Sequence, residues 1–309
     1  MKGGVAEVTA FVFPGLDGAG HPADHAWMLA LPGFDAHWRA VASAFAARPG
    51  FAVFERALRA GEALPSEPAA WAWRALAVTA MQLAAAEAVE QAGERADWLC
   101  GFSLGDLARS CHGRAMAFAQ LVHFAASLPP LPCVHGTSLA AILPDGRATA
   151  RLRTRLRRLG VAACRLSPRF LLLGTSPALR AEAIAVARAG GARVRDVGDC
   201  PLHTPLLQET SRLLANGAAA SRLLPACRAM FSTLWGRAIG PTDDLRREFT
   251  TNVAAPIDFA RAVRRLRRRH GVTRFVDLGP GRHASWFVGH HDEGVRSLHV
   301  RDVLAVTAP

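Results

Sequence analysis

The segment Gly101-Phe102-Ser103-Leu104-Gly105 most constrains how this chain can fold. An apolar run ends at Gly101, and beyond Gly105 apolar residues recur at helical spacing from Leu107 to Val122, which predicts a strand, a tight turn and a helix. Glycines relieve crowding at such a turn, and its serine would face the free amide groups of the helix N-terminus. A plain Ser/Gly turn between buried elements has the same pattern, so Ser103 is a candidate nucleophile.

Composition limits the class of protein. The chain has 309 residues, of which 50% are hydrophobic and 20% charged, so it is globular and can form one large α/β domain or a large domain with a small inserted one. The net charge of +12 favours an acidic partner. No basic motif is interleaved with aromatic residues, which argues against nucleic acid.

The cell compartment is predicted from cysteines and hydropathy. The six cysteines are scattered without a C-x-x-C motif, as expected of reduced thiols in the cytoplasm. Glu7 interrupts the N-terminal apolar run, so no signal peptide is predicted. No apolar run is long enough to span a bilayer, and no membrane association is expected.

Two regions with different patterns lie on either side of a proline-rich linker, Leu128-Pro129-Pro130-Leu131-Pro132. The region before it is predicted to form a strand, two helices and the strand before the serine turn, at 6–13, 36–47, 69–92 and 97–101. Beyond the linker, strands and helices alternate in the order β-α-β-β-α-β, which is the ferredoxin-like unit. We therefore predict a large domain formed by residues 1–130 and 200–309, with an inserted subdomain at 131–199.

A serine nucleophile needs a base, and histidine serves best because imidazole titrates near neutrality. His203 lies in a proline-bracketed loop, Cys200 to Pro205, where the chain returns to the large domain, and clefts form at such junctions. The adjacent His290 and His291 are predicted on a strand with side chains pointing apart. They lack companions at ligand spacing, so no metal site is expected.

Four separated motifs resemble malonyl-CoA:acyl-carrier-protein transacylases and the acyltransferase domains of polyketide synthases. They are the first strand with its end at Phe13-Pro14-Gly15, the Ser103 turn, the Pro201-Leu202-His203 loop, and Asn252 to Phe259 followed by Asp277-Leu278-Gly279-Pro280-Gly281. They occur in the family's order. The resemblance implies an α/β-hydrolase-like large domain, an inserted ferredoxin-like small domain, and an active site in the cleft between them.

The resemblance also implies roles for individual residues. The nucleophile maps onto Ser103, the base onto His203, and the carbonyl that orients the base onto Asn252. The oxyanion hole maps onto the backbone amides of Leu104 and Leu16, and a backbone donor does not depend on the side chain at its position.

Two departures from the family bear on the substrate. Phe102 precedes the serine where the family usually has histidine, and Leu128 stands where malonyl-selective members carry the arginine that binds the malonyl carboxylate. Arg114 is too far along the helix to replace that arginine. An unpaired carboxylate would be costly to bury, so we expect Phe102 and Leu128 to line a pocket for an acyl group without a free carboxylate.

Acyl transfer to an acyl-carrier protein in fatty-acid or polyketide synthesis is therefore the favoured function, with CoA and carrier-protein thioesters as substrates, no permanently bound cofactor, and a monomer as the working form. Hydrolysis of carrier-protein thioesters is a second hypothesis, and a non-catalytic subunit is a third. The arginine runs at 151–158 and 264–269 are typical of solvated helix faces, and contact with an acidic carrier or a phosphate is the alternative.

Overall fold

The computed structural model describes residues 7–15, 22–65, 70–129, 131–219, 223–241, 243–291 and 294–307. Within these ranges the strands form two separate sheets. None of the helices described there is long and apolar enough to cross a membrane.

The larger sheet is mostly parallel and is buried on both faces. Its strands are β1 (Val8–Phe13), β2 (Trp98–Gly101), β7 (Met230–Ser232), β8 (Arg237–Ala238), β9 (Val272–Asp277) and β10 (Arg296–His299), in the spatial order β10-β9-β1-β2-β7-β8. Among the strand pairs described in this sheet, only β7–β8 is antiparallel. Residues 10–13 of β1 are fully buried, as expected where helices cover both sides of a parallel sheet.

Helices surround this sheet. They are α1 (Pro22–His25), α2 (Phe34–Phe45), α3 (Phe51–Arg59), α4 (Trp71–Gln91), α5 (Gly105–His112), α6 (Phe118–Ser127), α9 (Gln208–Ala218), α10 (Leu245–Asn252), α11 (Phe259–His270), α12 (His283–Gly289) and α13 (Val300–Thr307). The alanine-rich α4 is buried along most of its length, because its small side chains let neighbouring helices approach closely.

The smaller sheet contains β3 (Thr137–Ile142), β4 (Ala162–Ser167), β5 (Phe170–Thr175) and β6 (Arg193–Gly198), with α7 (Gly146–Arg158) and α8 (Pro177–Ala189) in the connections. Its order is β4-β5-β3-β6 and every pair is antiparallel. The predicted α/β class with a ferredoxin-like unit is thereby confirmed. The exact domain boundaries stay a prediction.

One helix prediction is wrong. The apolar spacing from Leu107 to Val122 indicated a continuous helix, but α5 ends at His112 and α6 begins only at Phe118. Gly113 packs so tightly against Met230 that a β-carbon would lie 2.7 Å from its sulfur, and Arg114 has a left-handed φ of 58°. Ala115 and Met116 are buried in the turn, so the apolar spacing continues where the helix does not.

The prediction for the histidine pair is also wrong. His290 and His291 lie at the C-terminal end of α12 and not on a strand. The His290 ring packs against Trp286, and its Nδ1 lies 2.8 Å from Ser167 Oγ. No group of three or more potential metal-ligating side chains is found among the described residues.

Candidate active site

Ser103 stands at the tip of the turn between β2 and α5. Its φ of 56° is left-handed, a conformation that costs a non-glycine residue about 1–2 kcal/mol. Both glycines of the motif are required by close packing. A β-carbon at Gly101 would lie 2.6 Å from the Gly105 carbonyl oxygen, and one at Gly105 would overlap the carbonyl oxygen of Phe13. The strand-turn-helix context predicted for the serine is therefore present.

His203 and Asn252 lie beside this serine, as the sequence predicted. The Nε2 atom of His203 is 2.9 Å from Ser103 Oγ, and its Nδ1 atom is 2.7 Å from the Asn252 carbonyl oxygen. Because a carbonyl can only accept, Nδ1 carries the hydrogen and the lone pair of Nε2 faces the hydroxyl. This is the arrangement that a general base requires.

Backbone strain is concentrated at this pair. Among the described residues, the non-glycine positions with positive φ are Ser103, His203 (59°) and the turn residue Arg114. The backbone N–H of His203 donates to the Val253 carbonyl at 3.0 Å, which helps to hold the strained conformation. Strain of this kind is found where a site orients reacting groups.

Asn252 is itself held by a buried polar network that sequence reasoning missed. Its Nδ2 atom donates to Asp106 Oδ2 at 2.5 Å and to the Ser103 carbonyl at 3.2 Å. Arg109 lies between two carboxylates, 2.9 Å from Asp106 Oδ1 and 2.5 Å from Glu248 Oε2. The available signal was the opposite charge of Asp106 and Arg109 three residues apart on the helix after the serine.

Electrostatics in this network follow from its burial. Burial raises the pKa of Asp106 to about 7, against the lowering effect of the neighbouring Arg109. Burial also disfavours the charged form of Arg109, but Glu248 and Asp106 outweigh this effect and raise the pKa of its guanidinium. Arg109 is therefore charged at neutral pH.

One of the two predicted oxyanion donors can be located. Leu104 directly precedes α5 and follows the serine, and within the described ranges its backbone N–H is not engaged by a carbonyl. Leu16 lies outside the described residues. The segment before it is held by Gln82, whose Nε2 donates to the Pro14 carbonyl at 2.7 Å.

Ser103 and His203 border a cavity of about 110 Å³. Phe102 and Leu128 also line it, so all of the predicted pocket residues and the base meet here. None of the described residues that line it carries a charged side chain, and Arg114 lines a separate cavity. The other walls are mainly apolar and include Trp71, Leu76, Leu104, Leu107, Leu121, Phe124, Leu166, Leu172, Leu202, Leu214, Val253 and Ile257.

Phe102 contributes to packing as well as to this cavity. Its side chain is 2% exposed, and its ring centroid lies 4.6 Å from that of Phe259 and 6.1 Å from that of Phe287. The apolar residue before the serine thus joins the turn to α11 and α12.

No sequence profile of a protein family matches the chain. A curated relative, 5-methyl-1-naphthoate synthase of Streptomyces sahachiroi, is 30% identical over 190 residues, which cover 60% of this chain and 10% of that protein. The chain thus spans only a small part of the length of that relative.

Solved structures resemble almost the entire chain. The malonyl-CoA:acyl-carrier-protein transacylase of Clostridium perfringens has a TM-score of 0.80 at 17% identity, covering 97% of this chain and 96% of that one. A malonyl-transacylase in complex with a type II polyketide synthase acyl-carrier protein has a TM-score of 0.79 at 17% identity, covering 97% and 99%.

The acyltransferase domain from the second module of the salinomycin polyketide synthase has a TM-score of 0.77 at 19% identity, and the match covers 98% of this chain and 72% of that one. The likeness that the motifs predicted is therefore confirmed, and the chain has the fold shared by malonyl-CoA:acyl-carrier-protein transacylases and polyketide synthase acyltransferase domains.

Proposed function

We propose that the protein is a serine acyltransferase that moves a neutral acyl group from a CoA or carrier-protein thioester to an acyl-carrier protein. The observation that carries this proposal is the Ser103–His203–Asn252 chain of hydrogen bonds beside a cavity whose described lining residues carry no charged side chain. A serine aligned with a base whose other nitrogen is fixed is the arrangement that activates a hydroxyl for acyl transfer.

In the first step, Ser103 Oγ attacks the thioester carbon and its proton passes to His203 Nε2. The carbonyl oxygen becomes negatively charged, and the Leu104 amide stabilises it, together with the amide predicted at Leu16. The carbon–sulfur bond then breaks, and His203 returns the proton to the departing thiolate. The products are a free thiol and an acyl ester on Ser103.

In the second step, the phosphopantetheine thiol of a carrier protein gives its proton to His203 as its sulfur attacks the ester carbon. The bond to Ser103 Oγ breaks, and His203 protonates that oxygen. No resident cofactor is needed, because both thioesters enter as substrates. A carrier-protein acceptor is supported by the net charge of +12, and by the structurally similar transacylase that was solved with its carrier protein.

The cavity favours an acyl group without a carboxylate. Leu128 stands where malonyl-selective members carry an arginine, and Phe124 lines the same cavity. Neither side chain can pair with an anion. Since a cavity of about 150 Å³ can hold benzene, the 110 Å³ here suits a short or branched apolar chain.

Intact-protein mass spectrometry after incubation with acetyl-, butyryl- and malonyl-CoA tests the proposal. We expect a neutral acyl adduct in the wild type and in Ser127→Ala, whose serine lies on α6, but not in Ser103→Ala. On addition of a holo carrier protein the acyl mass should move to the carrier. Release of free acid without transfer would assign hydrolysis instead, and a folded protein that forms no adduct with any donor would refute both activities.

A further inference from the structure

Four buried polar side chains beneath the Ser103–His203 pair form what we call the clamp, namely Asp106, Arg109, Glu248 and Asn252. None is more than 3% exposed. Asp106 and Arg109 lie on α5, which begins directly after the serine turn, and Glu248 and Asn252 lie on α10. The clamp therefore joins the helix after the nucleophile to the helix whose end contacts the base.

The clamp connects two successive turns of α10 to α5. At the last residue of α10, the Asn252 amide donates to Asp106. One turn earlier, both oxygens of Glu248 accept from Arg109, at 3.2 and 2.5 Å. The Arg109 guanidinium also donates to the Phe231 carbonyl at 3.1 Å, which ties the pair to strand β7. A planar guanidinium bound on several sides has a fixed orientation.

This connection bears on His203 because the base is held by the end of α10. Asn252, whose carbonyl accepts the His203 Nδ1 hydrogen, is the last residue of that helix, and Val253, whose carbonyl accepts the His203 backbone N–H, is its C-cap. Carbonyls at a helix C-terminus lack helical partners and carry partial negative charge. A shift of α10 would move both acceptors away from the imidazole.

Stability alone does not account for these buried charges. A buried ion pair contributes little net stability compared with apolar residues of similar volume. A bidentate guanidinium–carboxylate contact does, however, fix the relative position of two helices. Reacting groups need such positioning within about 0.5 Å.

We propose that Arg109 and Glu248 are positioning residues, which hold the end of α10 so that the Asn252 carbonyl fixes the His203 ring against Ser103. The inference rests on the proposed function only in assuming that His203 activates Ser103. Neither residue contacts the cavity, so both act through Asn252.

The test uses a fluorophosphonate probe, which needs no knowledge of the natural substrate. Ser103 Oγ attacks the phosphorus, fluoride leaves, and His203 takes the hydroxyl proton. Glu248→Ala should lower the second-order labelling rate by about 10- to 100-fold, since small displacements of reacting groups have effects of this size. Glu248→Gln should show a smaller loss than Glu248→Ala, because its amide oxygen still accepts from one Arg109 nitrogen while its amide nitrogen cannot accept from the other.

A double-mutant cycle separates positioning from general loss of structure. In a His203→Ala background, Glu248→Ala should change the residual labelling rate by less than about twofold, because coupled residues are not additive. The inference would be overturned if Glu248→Ala lowered the labelling rate equally with and without His203. It would also be overturned if Glu248→Ala labelled at the wild-type rate. If Glu248→Ala does not fold, the double variant R109M/E248M is used, because it replaces the buried pair with apolar side chains. It must show the same fall in labelling rate, and that fall must again depend on His203.

The inference and the proposed function can fail separately. If the wild type labels with the fluorophosphonate in a clamp-dependent way but forms no adduct with acyl thioesters, the proposed function is wrong and the positioning role stands. If acyl thioesters acylate Ser103 and the clamp variants react at wild-type rates, the positioning role is wrong and the function stands.

Discussion

Replacing Leu128 by arginine should make the protein more selective for malonyl groups. Leu128 follows α6 directly, lines the cavity that contains Ser103, and is partly exposed. It packs toward α9, where a β-carbon on Gly217 would lie 2.9 Å from Leu128 Cδ2. An arginine at this position starts from the cavity wall and can extend either into the cavity or toward its opening.

The size of the effect follows from pairing the malonyl carboxylate. A hydrogen bond to a charged group contributes about 1.5–3 kcal/mol, which corresponds to a change of about 10- to 150-fold in relative rate. Acylation by malonyl-CoA relative to acetyl-CoA should therefore rise in Leu128→Arg by one to two orders of magnitude. The lost apolar packing should lower the free energy of unfolding by about 1–3 kcal/mol.

The assay is the initial rate of Ser103 acylation by each donor, followed by intact mass, with urea denaturation to confirm folding. Leu128→Met is the matched control, because methionine is apolar, uncharged and close to leucine in volume, and it should leave the donor ratio unchanged. An unchanged ratio in folded Leu128→Arg that still accepts acetyl groups would show that the carboxylate position lies elsewhere in the cavity.

Three further outcomes are expected. Gly105→Ala should lower the free energy of unfolding by about 3 kcal/mol or more and unfold at much lower urea concentration, because its β-carbon overlaps a β1 carbonyl oxygen. Gly289→Ala is the control, because a β-carbon there meets nothing within 4 Å, and it should leave the free energy of unfolding unchanged or raise it. Ser103→Gly should be more thermally stable than Ser103→Ala by about 1 kcal/mol, since only glycine adopts its positive φ without strain, and equal stabilities would argue against strain. Arg274 lowers the pKa of Glu94, so the ionised carboxylate stabilises the folded protein. The wild type should therefore melt at a higher temperature than Glu94→Gln at pH 7, and this difference should disappear as the pH falls below about 4. A difference in melting temperature that does not change with pH would contradict this.

Much of the fold could be predicted because its signals are local. The buried run of β1, the alanine-rich α4 and the alternation of elements between β3 and β6 are all present in short stretches of sequence. The break between α5 and α6 was not predictable in this way. It depends on the contact of Gly113 with Met230, more than one hundred residues further along the chain.

The candidate site was likewise predicted only in part from the sequence. Ser103, His203 and Asn252 were proposed from motifs and lie within hydrogen-bonding distance, although their chemical roles stay predictions. The clamp was missed because Asp106 and Arg109 resemble an ordinary exposed ion pair on a helix. Only the approach of Glu248 from a distant helix shows that these charges are buried.

The turn at Gly113 and Arg114 has a consequence for how such a protein can diversify. Because α5 and α6 are separate, a deletion or insertion between 113 and 117 would displace α6 and Leu128 while Ser103 and Leu104 stay in place. The proposed acyl-binding wall can then change shape while the Ser103–His203 hydrogen bond is kept. A laboratory library confined to Phe118–Leu128 should likewise yield many altered pockets in which Ser103 still reacts with a fluorophosphonate.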